Sequence, residues 1–450
     1  MTKTVAAGNR PRPEHRSGVH GHRRHRPDVI GPELGSELGL RRYLALGKHG
    51  SMSIPRSLGR NAVRLALLLF AIGCDSLGVV YVGPVPDAQI PTDGGTNPIP
   101  DGGLEPDGGP AQQGPVSIVV LPDTQYYSDV PSQFFVVDGS PDQFPGVFGQ
   151  QTAWIVAQKS ALNIAAVLHV GDLVQYDETS DWTVANPAMR VLDNVVPYVI
   201  VPGNHDYSDD SRATKIDNYF SPASMPWITG TMDAGKIENS YALIDIGAQK
   251  WLVLGLEFAP RDVVLTWADA VLKRYAAYPA MILTHAYLYS DGTRYDFAAG
   301  GNDADAGTYQ WFYPQSYKFT PGEGSNDGEM MWQKLILPNS NVRLVFCGHQ
   351  TGGAFSTSTR PDGTTVHQML SDYQWLDQDW FGFGYLRIVQ FDYAKKTIQV
   401  QTFSPFCTGD ASTCDNANFP NTPCCAVLPD DQSDPSAKDN PASFTLDLNL

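Results

Sequence analysis

The sequence predicts an α/β fold on a mixed sheet, and three observations carry that prediction. Strand-length apolar runs alternate with segments of helical periodicity over residues 117–204. The early runs end abruptly in an acid or an amide, at Asp123, Asp172 and Asn204. Beyond residue 240 the order changes to paired and then consecutive strands, a pattern that a purely parallel sheet does not give. The hydrophobic fraction of 42% supplies a sizeable core for one large domain.

Residues 117–123 read as a first buried strand, and residues 149–162, with Trp154, Ile155 and Ala161, as a helix. Residues 164–170 form a second strand that runs into Gly171-Asp172. A helix over 181–195 precedes the run Val199-Ile-Val-Pro-Gly-Asn-His-Asp206, a buried strand with a polar end. Residues 241–246 and 251–256 look like antiparallel neighbours, followed by a helix over 265–275. Residues 280–283 lead into Thr284-His285, 328–337 are helical, and 342–347 lead into Gly348-His349. Strands over 365–370, 385–391, 397–403 and 444–448 complete the domain, which spans 116–450.

Ligand sites in open α/β sheets gather at the carboxyl ends of the strands. Five ends line up here: Asp123, Asp172, Asn204, His285 and His349. Three oxygen donors and two imidazoles suit Zn, Mn or Fe and are too nitrogen-rich for a calcium cage. Asp172 can bridge two ions. In the tetrad Gly203-Asn204-His205-Asp206, His205 offers a proton and Asp206 a partner to orient it. Taken alone the tetrad is equally a strand-end turn, since Gly, Asn and Asp favour turns. His169 reads as structural or supporting, and His367 as core or surface. The long loop over 289–326 carries Arg294, Tyr295, Asp296, Trp311, Phe312, Tyr313 and Tyr317, with Gly300-Gly301 as a hinge. It can stack on a substrate or pack on itself. Arg294 is the cation of this loop expected to touch a substrate.

Charge divides the chain. Residues 1–51 carry ten Lys/Arg and four Asp/Glu, whereas 18 basic and 44 acidic residues follow from Cys74 onward. So acidic a surface repels polyanions, which excludes bulk nucleic acid as a default partner. Residues 1–51 show little apolar periodicity and read as a disordered or non-native extension. Residues 52–73 have a secretory-signal layout: Met52, three arginines, a short apolar run, then Gly73-Cys74. Ala71-Ile72-Gly73-Cys74 resembles a bacterial lipobox with Ala71 in place of the usual Leu, which makes Cys74 the lipidation site. The expected location is therefore outside the cytoplasm, with membrane contact through the lipid only. Residues 74–115, with Asp-Gly-Gly units at Asp93, Asp101 and Asp107, read as a disordered tether. Cys347 is expected as a buried free thiol. Cys407, Cys414, Cys424 and Cys425 lie in or beside an irregular insertion over 404–430 and are disulfide candidates, with three pairings open. No protein partner is evident.

The ordered set Asp123-Thr-Gln125, Gly171-Asp172, Gly203-Asn204-His205-Asp206, Thr284-His285 and Gly348-His349-Gln350-Thr351 resembles the calcineurin-like metallophosphoesterases, in the branch with an Asp-x-Gln first motif. The resemblance covers about residues 116–405 and the last strand. It implies a four-layer α/β/β/α sandwich of two mixed sheets, and two divalent metal ions among Mn, Zn, Fe and Mg. It further implies hydrolysis of a small phosphorylated substrate, a phosphomonoester or phosphodiester, by metal-activated hydroxide. The family places a His where this chain has Gln125 and another where it has Thr351. One metal site, fed by Asp123, Gln125 and Asp172, is thus expected to be weak, while Asp172, Asn204, His285 and His349 form a full set. The rival reading is a catalytically weak protein that keeps one ion and binds a phosphorylated ligand.

Overall fold

The computed structural model describes residues 114–129, 146–208, 211–299, 313–317, 320, 322–374, 382–407 and 443–450. The extension, signal, tether and lipidation readings on 1–113, with Cys74, lie outside these residues, as do Cys414, Cys424, Cys425, Trp311, Phe312 and Gly300-Gly301.

Two sheets organise the domain. In the first, β1 (Val116–Leu121), β2 (Ile164–His169) and β3 (Tyr198–Ile200) run parallel. Against β1 lie β11 (Leu386–Asp392), β12 (Thr397–Phe403) and β13 (Ser443–Asp447), each antiparallel to its neighbour. The second sheet holds β4 (Ile228–Thr231), β5 (Ser240–Ile246), β6 (Gln249–Gly255), β7 (Ala280–Leu283), β8 (Val342–Cys347), β9 (Gly352–Thr359) and β10 (Thr365–Asp372). Its order is β4-β5-β6-β7-β8-β10-β9, with β6, β7, β8 and β10 parallel. Both sheets are therefore mixed.

The central strands β1, β2, β3, β7 and β8 read as continuous apolar runs because both of their faces are buried. In β1, Ile118 and Val120 face the second sheet, where Val253, Met281 and Phe346 join the same cluster. Val119 and Leu121 point the other way, into a cluster with Ile155, Trp182 and Met189. Those side chains come from α2 (Val147–Gln158) and α3 (Thr179–Arg190), which follow the single turn α1 (Gln125–Ser128). The turn α4 (Ile216–Tyr219) adds Ile216 to that cluster. The second sheet is backed by α5 (Asp262–Arg274) and α6 (Gly328–Met331) through Val264, Leu265, Leu272 and Met331. The layers are thus helix, sheet, sheet, helix.

Two strands escape a periodicity search. β4 and β9 stand at the edges of the second sheet, are mostly half-buried, and carry Gly, Ser and Thr in place of an apolar run. The helix expected over 328–337 continues past α6 as a π-helical segment, Trp332–Ile336.

Candidate metal centre

The polar groups at the ends of the strands meet where the two sheets pack. β1, β2 and β3 lead into Asp123, Asp172 and Asn204, and β7 and β8 lead into His285 and His349. The backbone is bent tightly there. Asp172 (φ 51°) and His349 (φ 76°) are left-handed, a conformation that residues with a Cβ hold only when their surroundings enforce it. A Cβ on Gly203 would run into the Asp172 carboxylate, and one on Gly348 into that of Asp123.

His285 is the centre of the cluster and is fully buried. Its Nδ1 lies 2.9 Å from the Val170 carbonyl. A carbonyl only accepts, so Nδ1 carries a proton and Nε2 is left to act as a ligand. Around that Nε2 stand Asn204 Oδ1 at 3.1 Å, Asp172 Oδ2 at 3.2 Å and His349 Nδ1 at 3.2 Å. Such a convergence of lone pairs needs a positive charge. Without a metal, a proton on Nε2 supplies it: burial lowers the His285 pKa, but the Asp172 carboxylate, the Val170 carbonyl and Asp206 together raise it. A metal ion replaces that proton. Donors bound at about 2.1 Å stand about 3.0–3.4 Å apart, so the observed spacing fits an ion. Burial pushes Asp172 up, yet the His285, His205 and His349 imidazoles hold it below the usual carboxylate range.

The Asp123 side of the centre has no imidazole. Asp123 Oδ2 accepts the His349 backbone N–H at 3.0 Å, while Asp123 Oδ1 and Gln125 Oε1 are buried with no hydrogen-bond partner. Burial, and repulsion from Asp372 and Asp172, raise the Asp123 pKa well above its ordinary value. Orphaned oxygens and crowded carboxylates both fit a cation. A cavity of about 330 Å³ opens here, lined by Gln125, Tyr126, Asp172, Asn204, His205, Tyr317, His349, Thr351 and Gln374.

His205 lines this cavity without joining the ligand cluster. Its backbone N–H donates to Asp172 Oδ1 at 2.9 Å, and its Nδ1 lies 2.9 Å from the Gln175 carbonyl. That carbonyl orients the ring, which corrects the expectation for Asp206. The Asp206 carboxylate instead accepts backbone N–H groups from Gly203 (2.8 Å), Val174 (3.0 Å) and Leu173 (3.2 Å). It clamps two motif loops together from a fully buried position. Arg294 is also corrected. Its guanidinium is bound to Glu329 at 2.6 Å, bonds Ser358 and Gln368, and lies 4.6 Å from the Trp332 ring centroid. It does not line the cavity.

The described part of the 289–326 loop packs on itself and on the centre. Tyr289, Tyr295 and Tyr313 form one cluster with Phe258, and the Tyr295 and Tyr317 rings lie 6.0 and 5.8 Å from that of His349. His169 Nε2 is 3.0 Å from Thr124 Oγ1, so it braces the first motif. His367 bonds Thr357 and the Asp447 carbonyl, away from the cavity. Cys347 is buried and free, and Cys407 packs with Tyr373, Phe383, Tyr385 and Phe406.

Two residues of the centre were missed. Asp372 ends β10 and Gln374 follows it, and the run Met369-Leu370-Ser371-Asp372 carries the same signal as the other strand ends. The expected strand over 365–370 stops short of Asp372, and its parallel pairing with β8 is not a local signal.

Two packed mixed sheets, with oxygen and imidazole donors at their strand ends, define an α/β/β/α protein with a candidate metal site. The chain belongs to the calcineurin-like phosphoesterase family, whose model matches residues 116–352. It is similar to the uncharacterised protein YvnB of Bacillus subtilis, 29% identical over 305 residues. That match covers 64% of this chain and 20% of YvnB, so the chain spans about a fifth of that relative's length. Among solved structures, the purple acid phosphatase PPD1 from yellow lupin (Lupinus luteus) seeds is 13% identical with a TM-score of 0.38, covering 65% of this chain and 52% of that one. A dimetal phosphatase from Danio rerio is 12% identical with a TM-score of 0.37, covering 64% and 96%.

Proposed function

We propose that the chain hydrolyses small phosphate esters, monoesters or diesters, with divalent cations held at the strand ends. The observation that carries this is the meeting of Asp172, Asn204 and His349 around His285 Nε2, with His205 beside them at the cavity and outside the ligand cluster. Asp172, Asn204, His285 and His349 would hold one ion, and Asp123, Gln125 and Asp172 would border the other. Bound cations neutralise phosphoryl oxygens and generate a hydroxide nucleophile near neutral pH.

This chain's own residues do the rest. With Nδ1 donating to Gln175, His205 presents Nε2 to the substrate, and a proton there is given to the leaving oxygen or stabilises charge on the phosphoryl group. Tyr126 and Tyr317 wall the cavity and narrow the access of water. The chain further reads as an exported lipoprotein anchored at Cys74, with Cys407, Cys414, Cys424 and Cys425 in disulfides. The test is turnover of an aryl phosphate and its diester with Mn²⁺, Zn²⁺, Fe²⁺ and Mg²⁺, alongside metal content per chain. Metal-dependent turnover supports the proposal. Tight metal and phosphate binding with no turnover in any of the four overturns it in favour of a binding protein.

A further inference from the structure

We propose that the imidazole-free half of the centre is an oxygen-only site for a hard divalent cation, Mn²⁺ or Mg²⁺, with Gln374 from the end of β10 as a ligand. This rests on the metal-dependent reading above and adds a residue, a strand and a metal class to it.

Register places Gln374 there. β10 runs parallel to β8 with Leu370 opposite Cys347, so Asp372 stands level with His349. The antiparallel pairing with β9 sets Asp372 opposite Gly352, next to Thr351. Asp372 is fully buried, and Gln374 occupies both of its oxygens. Oδ1 accepts the Gln374 backbone N–H at 3.1 Å and Oδ2 accepts Nε2–H at 3.1 Å. A carboxylate accepts only, so the amide nitrogen must face it and Oε1 must face away. That Oε1 is buried without a partner, although Gln374 lines the cavity and is 4% exposed. Gln125 Oε1 is in the same condition on the same cavity. Asp123 Oδ1 is likewise without a partner, on a carboxylate whose other oxygen accepts the backbone N–H of His349.

Three orphaned oxygens from two separate segments, the first motif and the end of β10, are costly to leave unsatisfied beside Asp172. One cation satisfies them together. The donors are carboxylate and amide oxygens with no imidazole or thiolate, a set that suits Mg²⁺ and Mn²⁺ better than Zn²⁺. Asp372 acts as a positioning residue that fixes which way the Gln374 amide points.

Full-length protein freed of metal by chelation is titrated with Mn²⁺ and, separately, with Zn²⁺, and bound ions per chain are counted. Melting curves of the metal-free variants report whether each folds. Wild type is expected to take two Mn²⁺ but one tight Zn²⁺. Gln374→Ala should keep the tighter Mn²⁺ and weaken the other at least ~10-fold, and Asp372→Asn should weaken it about 10–100-fold, as losses around ligands do. Gln125→His should admit a second Zn²⁺. The proposal is overturned by an unchanged second Mn²⁺ in folded Gln374→Ala, or by two equally tight Zn²⁺ in wild type. One ion in total, abolished by His349→Ala, overturns this site and leaves the metal-dependent reading intact. No bound ion of either kind overturns both.

Discussion

His205, Asp206 and His169 occupy neighbouring loops and do different work, and each makes its own prediction. His205→Ala removes the ring but keeps the backbone N–H that holds Asp172. Metal content should stay, while kcat falls by about 10²–10⁴, the range of a positioned acid or base. The loss should shrink for esters with good leaving groups; a loss independent of leaving group would assign the ring to charge stabilisation instead. Asp206→Ala should act through stability, because each of its three stranded N–H groups costs about 1–3 kcal/mol. The shift of its denaturation midpoint measures this. Burial lowers the His169 pKa to about 3. The unfolded chain then binds a proton below about 6.5 that the folded chain refuses, so stability present above pH 6.5 is lost as pH falls towards 3. The slope is about 1.4 kcal/mol per pH unit. His169→Asn should flatten the pH dependence of denaturant unfolding between pH 6 and 4; an unaltered slope would place the dependence elsewhere.

At the scale of elements, the centre depends on how the strand ends are pinned. Glu257, just past β6, is 2% exposed and receives Arg261 through both oxygens, at 2.7 and 3.0 Å, and Asn239 at 3.0 Å. Its neighbour Phe258 packs on the His285 and His349 rings. Glu257→Ala leaves a half-buried Arg261 and a more buried Arg212 without their shared acid. Removing one partner of a buried pair costs about 3–5 kcal/mol, so the melting temperature should fall well beyond the effect of a surface change. Gly348→Ala tests close approach. Its Cβ would push on the Asp123 carboxylate, so the looser ion should be lost before the tighter one. Retention of both ions, by metal analysis, would show that the loop yields.

For the whole molecule, the acidic balance of the chain bears on the proposed site. From Cys74 onward acidic residues outnumber basic ones 44 to 18, and on the proposed function cations at the strand ends would offset part of that charge where an anionic ester approaches. Metal removal should therefore lower the melting temperature, since an ion that binds only the folded state stabilises it by mass action. The anchor makes a separate prediction. Cys74→Ser should lose the lipid and move to the aqueous phase on detergent extraction; wild type already in the aqueous phase would refute lipidation. Peptides from residues 1–51 in the cellular protein would refute the reading of that segment as non-native.

The sequence by itself determined the strands buried on both faces and the donors that follow them, because continuous apolar runs and abrupt polar ends are local signals. β7 and β8 were legible to the residue for that reason, and β12 by its alternation of apolar and polar residues. Gln125 and Thr351 as the places where the family has His came from the resemblance, not from any local pattern. Edge strands β4 and β9 were not legible, since one-sided burial demands few apolar residues. Partnership was decided by the tertiary structure alone. Asp206 lies next to His205 in sequence yet binds the backbone of two loops, and Arg294 was given to Glu329 by the packing of its loop. Asp372 and Gln374 came to the centre through a strand register that no local pattern encodes. Chain proximity fixes which groups are available, and only packing of the two sheets fixes which lone pair meets which donor.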